Sequence, residues 1–161
     1  MEKTLNLLYK EIAEIVNQMI PEQWEEFYFY AQISKTGGGV YFFYKSQQHN
    51  DYVYSLDILK LFNVNEKDFK KHEYELYKKC KSIYKIFEEN EQELWYSFTM
   101  SLEKTGRFKM HYDYTNWFDT EYSFSDQMII WKYKYLNEKP EDRNLQKKID
   151  KYLEEFPSNP I

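Results

Sequence analysis

The segment from Trp95 to Tyr114 (WYSFTMSLEKTGRFKMHYDY) constrains the fold of this chain more than any other stretch. Tyr96, Phe98, Met100 and Leu102 alternate with Ser97, Thr99, Ser101 and Glu103. After Lys104-Thr105-Gly106, Phe108, Met110, Tyr112 and Tyr114 alternate with Arg107, Lys109, His111 and Asp113. Residues two apart in a strand share a face. The pattern therefore predicts an antiparallel hairpin with one apolar and one polar face, covered on one side and wet on the other.

A second hairpin is expected from Glu26 onward. Phe27, Phe29, Ala31 and Ile33 share one face, and Tyr28, Tyr30 and Gln32 the other. Lys35-Thr36-Gly37-Gly38-Gly39 follows, and then Val40, Phe42 and Tyr44 alternate with Tyr41, Phe43 and Lys45. A glycine-rich loop that cradles phosphate opens into a helix. A strand pattern follows this one, so it reads as a turn. The face made by Tyr28, Tyr30, Tyr41 and Phe43 is either a second buried layer or an exposed aromatic patch. Residues 51–56 (DYVYSL) predict a third short strand.

Helical spacing occupies the rest. Leu5, Leu8, Ile12, Ile15 and Met19 predict a first helix, with Thr4 as its cap and Pro21 as its stop. A long helix is expected over 66–89, with Phe69, Glu73, Leu76, Cys80, Ile83 and Phe87 on one seam. Seven lysines between Lys67 and Lys85 read as a solvated face, because Glu66, Asp68, Glu73 and Glu75 are interspersed. Residues 115–125 read as a loop. Ile129, Tyr133 and Leu136 predict a short helix ending near Asn137. Pro140 can open a last helix carrying Leu145, Ile149, Tyr152 and Phe156, with Pro157 and Pro160 as stops. No linker or repeat divides the 161 residues. The expectation is one α+β domain over 1–161: an antiparallel sheet of four to five strands in two hairpins, packed with N-terminal, central and C-terminal helices.

Composition narrows the function classes. One cysteine forms no internal disulfide and suits a reducing compartment; on an apolar seam, Cys80 is expected to be a buried, inert thiol. The N-terminus lacks a signal-peptide pattern, and no run of about 18 apolar residues suggests a membrane span. A net charge of −5 leaves no basic excess for phosphates, so direct nucleic-acid binding is not expected. His49, His72, His111 and Cys80 form no metal-ligand spacing, although His111 and Asp113 would share a strand face. No nucleophile elbow, dinucleotide fingerprint or poised carboxylate pair appears. These residues point to no catalytic site, cofactor, metal or small-molecule substrate.

One block stands out. Between Met110 and Trp131 there is no Lys or Arg, while Asp113, Asp119, Glu121 and Asp126 supply four negative charges. The same stretch holds Tyr112, Tyr114, Trp117, Phe118, Tyr122, Phe124 and Trp131. Aromatic anchors with one sign of charge suit a protein partner of opposite charge; the alternative is that the rings are core and the acids plain surface. The candidate partner-binding residues are Asp113, Trp117, Phe118, Asp119, Glu121, Tyr122 and Asp126.

The Trp95–Tyr114 stretch resembles the W–T–L–G-[KR]-F–YDY strand pair of the YezG/EsaG family. WKYKYL at Trp131–Leu136 resembles that family's W-[RK]-YKYL helix, and the N-terminal helix and aromatic hairpin also line up. The resemblance implies a small cytoplasmic immunity protein, or antitoxin, of Gram-positive bacteria. Such a protein binds a toxin exported by the type VII secretion system, whose C-terminal domain is a nuclease, and acts as a stoichiometric inhibitor rather than an enzyme. A regulatory domain of the same fold with another protein partner, or a small metal-dependent enzyme using His111 and Asp113, are the alternatives.

Overall fold

The structure is a computed structural model and describes residues 1–157. The chain packs into two compact units, 1–114 and the segment from Thr115 onward.

The first unit is built on five antiparallel strands: β1 (Trp24–Ser34), β2 (Gly37–Ser46), β3 (Tyr52–Tyr54), β4 (Ser97–Glu103) and β5 (Phe108–Asp113). Their order is β3-β2-β1-β4-β5, which puts β1 at the centre. Its Phe27, Phe29, Ala31 and Ile33 are all buried. Tyr44, Phe42 and Val40 of β2 lie opposite the first three, and Leu102, Met100 and Phe98 of β4 flank them on the other side. The first hairpin turns tightly at Gly38, where a Cβ would stand 1.9 Å from the Gln32 carbonyl oxygen. Only glycine fits that approach.

Two long helices cover this face. α1 (Glu2–Met19) buries Leu5, Ile12, Ile15, Val16 and Met19, and α3 (Glu66–Glu89) buries Phe69, Leu76, Cys80, Ile83 and Phe87. These side chains form one cluster with the sheet, capped by Trp95, whose ring meets Phe98 edge-on at 5.2 Å. Lys79 of α3 donates to Glu11 of α1. α3 starts where the Asn65 side chain accepts the Asp68 N–H at 3.0 Å, which satisfies an otherwise orphaned donor. Burial pushes the Cys80 thiol up, away from the reactive thiolate.

Several expectations change. α1 begins at Glu2, ahead of Thr4, because Leu5 N already donates to the Met1 carbonyl. The third strand is only Tyr52–Tyr54; a 3-10 turn at Ser55–Asp57 leads into the single helical turn α2 (Ile58–Leu61). The polar face of the sheet is not wet throughout: Ser97 and Thr99 are buried, and so are Tyr30, Tyr41 and Phe43. The alternate face of the first hairpin is thus a second buried layer at Tyr30, Tyr41 and Phe43, while Tyr28 is half-buried. Tyr30 stacks on its register partner Tyr41, and Phe43 on its partner Tyr54, both at 4.8 Å. Conversely Phe108 and Tyr114, expected on the covered face, are exposed. β5 is an edge strand, and the covered face runs out at its ends.

The second unit holds a 3-10 turn at Trp117–Asp119, α4 (Phe124–Leu136) and α5 (Arg143–Glu155). Trp117, Tyr122, Ile130, Ile149 and Tyr152 form its core. α4 starts five residues before Ile129, so Phe124 and Ser125 are helical rather than loop. It ends at Asn137, which adopts φ 56°. Pro140 lies ahead of α5 rather than inside it. Asp142 is the cap, accepting the Asn144 N–H at 2.7 Å. Pro160 lies outside the described residues.

Candidate partner-binding segment

Asp113 closes β5, opposite Ser97, and is half-buried. The other six candidates belong to the second unit, where short polar side chains hold the backbone in a fixed path. Asn116 accepts the Phe118 N–H at 3.2 Å and donates to the Asp119 carboxylate at 2.8 Å. Thr120 donates its hydroxyl to the Trp117 carbonyl at 2.6 Å. Ser123 and Asp126 form a reciprocal capping box at the start of α4, with the Asp126 N–H donating to the Ser123 hydroxyl at 3.1 Å. Segment 116–126 is therefore a built turn and not a free loop.

That turn sorts its aromatic residues. Trp117 points inward, stacks on Tyr152 at 5.4 Å and is 6% exposed. Tyr122 is equally buried and meets the edges of Trp117 and Tyr152. Burial pushes its phenol up, and Glu155 adds to the shift. Phe118 is 66% exposed, and Phe124, a further ring outside the candidate set, is 54% exposed. An exposed phenylalanine held on a rigid turn costs little further entropy on binding, which is what a contact anchor requires.

The acidic block is also sorted. Glu121 accepts from Lys151, and Asp126 accepts from Lys148 at 2.9 Å, both lysines lying on α5. The Lys148 hydrogen bond holds the Asp126 carboxyl below the usual aspartate range, against the opposing effect of burial, with Ser123 assisting. Glu121 in turn raises the Lys151 ammonium. Asp119 is exposed and has no ion pair among the described residues. Nothing within the segment announces these lysines, because they lie 22 and 30 residues downstream.

Among the described residues, no three His, Cys, Asp or Glu side chains gather as metal ligands. No helix among them is long and apolar enough to cross a membrane.

The chain matches the family of YezG-like immunity proteins over residues 5–150, a span that takes in both units. It is 32% identical over 146 residues to immunity protein YezG of Bacillus spizizenii, covering 91% of each chain. It is 30% identical to immunity protein YezG of Bacillus subtilis, covering 91% of this chain and 97% of the relative. It is also 30% identical over 158 residues to the type VII secretion system protein EsaG of Staphylococcus aureus, covering 96% and 97%. The family match over residues 5–150 and relatives about a third identical over nine-tenths of the chain agree, and the chain belongs to the YezG-like family of immunity proteins.

Proposed function

We propose that this immunity protein acts in the cytoplasm by binding a cognate toxin of the type VII secretion pathway, whose C-terminal domain is a nuclease. It is a stoichiometric protein inhibitor and carries out no chemistry of its own. The observation that carries the reading is the match, over more than nine-tenths of the chain, to proteins named for immunity and for type VII secretion. Both units act together as one immunity domain, since the family match runs across 5–150.

The partner-binding surface is the Asp113–Asp126 block, with its residues in different roles. Phe118 supplies the apolar contact, and Asp119 the unneutralised charge that steers a basic partner. Glu121 and Asp126 border the contact, Trp117 and Tyr122 fix the turn that presents it, and Asp113 is a separate acidic contact on the first unit. A nuclease must carry positive charge to hold phosphates. An acidic, aromatic turn suits such a surface in charge and shape. The test is to mix the purified chain with the toxin's nuclease domain and follow DNA cleavage. Cleavage should fall linearly and end at one equivalent, with a complex of fixed ratio on gel filtration. Full cleavage in the presence of excess chain would overturn the reading.

A further inference from the structure

A second charged feature lies on α3 and is independent of the toxin reading. At 3.6 residues per turn, Lys67, Lys71, Tyr74, Lys78, Lys81 and Lys85 fall on one stripe about 80° wide and about 27 Å long. Every one of them is exposed, Tyr74 by 61%. The stripe lies opposite the buried seam of Phe69, Leu76 and Ile83. The acids that make the helix look mixed in sequence are elsewhere on its circumference. Glu73 is half-buried, and desolvation pushes its carboxyl up. Glu66 is engaged with Lys70 at 3.1 Å. Among the described residues Lys85 alone of the stripe lysines has an ion pair, with Glu89 at 3.7 Å. Lys78 lies over the Tyr74 ring at 5.2 Å.

At its C-terminal end the stripe runs into a groove of about 370 Å³ at the turn of the first hairpin. Lys35 and Ser34 line it from that turn, with Lys81, Ser82, Lys85 and one carboxylate, Glu88, from the helix. Two elements far apart in sequence thus add to the same positive surface, in a chain whose net charge is −5.

We propose that this stripe docks an acidic segment of a protein, with its carboxylates meeting the lysines and an apolar side chain meeting Tyr74. Charge complementarity selects the acidic partner, and the exposed Tyr74 ring offers it one apolar contact. Nucleic acid fits less well, because its far denser negative charge meets more repulsion from a chain of net charge −5 than a short acidic segment does. A membrane surface fits less well again, because a helix lying on lipid needs its apolar face free, and here that face is in the core.

The probe is a labelled helical peptide with glutamates at alternating three- and four-residue spacing and one leucine. Its anisotropy is followed against the full chain at about 50 and about 300 mM salt, which bracket a large change in screening. Binding should weaken roughly tenfold at the higher salt, and roughly tenfold again in the triple variant Lys71→Gln/Lys78→Gln/Lys81→Gln. Tyr74→Ala should weaken it without changing the salt dependence. The control Lys3→Gln/Lys10→Gln/Lys139→Gln, with the same change in net charge, should bind as wild type. Melting curves verify that each variant is folded. Failure of the peptide to bind, equal loss in the control, or tighter binding to a short DNA duplex or to phosphatidylserine vesicles would overturn the proposal.

Discussion

In the amino-acid order, α3 looks charge-mixed and the 113–126 segment looks purely acidic; in space the two reverse. On α3 the helical twist carries Glu73 inward and leaves a line of lysines outward. On the 116–126 turn, lysines from α5 come back to meet Glu121 and Asp126, and Asp119 is left as the charge without an ion pair among the described residues of that turn. A run of like charges in the sequence is not yet a field in space. What a partner meets depends on which charges share a face and which are already answered.

The contrast can be tested first through the residues that hold each region. Trp117→Ala should cost about 3–5 kcal/mol, since it empties the centre of the second unit's core, and Leu76→Ala about 2–5 kcal/mol in the first. Chemical denaturation of both variants measures this. If Trp117→Ala leaves stability intact while toxin affinity falls, Trp117 is a contact and not the support of the turn.

Phe118→Ala should do the opposite. Its stability should change by less than about 0.5 kcal/mol, while the affinity for the toxin domain drops by about 2 kcal/mol, seen mostly as faster dissociation. Surface plasmon resonance beside a melting curve separates the two, and an unchanged dissociation rate would remove Phe118 from the interface.

Asp126→Asn should cost about 0.5–1 kcal/mol, because the neutral amide gives up the charge-assisted bond to Lys148 while its oxygen can still accept in the capping box. Its pH dependence has a definite sign. The folded-state carboxyl sits below its ordinary value, so its stabilisation is full above the ordinary aspartate range. It is lost as pH falls through the folded value. The gap between wild type and variant should therefore be present at neutral pH and close below about pH 4. A gap that persists at lower pH would mean that packing, not the charge, is what Asp126 supplies.

The smallest effect on stability is expected at Lys151. The ion pair with Glu121 is exposed, and such pairs add little to stability. Lys151→Ala should leave the melting temperature unchanged and, by uncovering Glu121, speed association with a basic toxin domain at low salt. A slower association would show that the acidic turn does not steer the partner.

Much of the architecture was legible because it rests on local periodicity. Phe27, Phe29, Ala31 and Ile33 could only be one face of a strand, and Leu76, Cys80 and Ile83 one seam of a helix. The helix starts at Met1 and Asp142 depart from the expected caps because a backbone hydrogen bond or a better cap takes over there. The burial of Ser97 and Thr99 was hidden, since polar side chains in an alternating run read as solvent-facing until their neighbours are known. The candidate segment was visible as a block of acids and rings, but the sequence treats Trp117 and Phe118 as equivalent neighbours.

Taken alone, then, the order of residues determined the α+β class, the two hairpins, the long amphipathic helix and the likeness to the immunity proteins. All of these follow from side-chain period and short motifs. That Trp117 faces the core and Phe118 the solvent follows from the folded turn, because a 3-10 turn rotates adjacent side chains by about a third of a circle. The tertiary structure also decided which acids keep their charge unanswered, because Lys148 and Lys151 reach Asp126 and Glu121 only once α5 has folded onto α4.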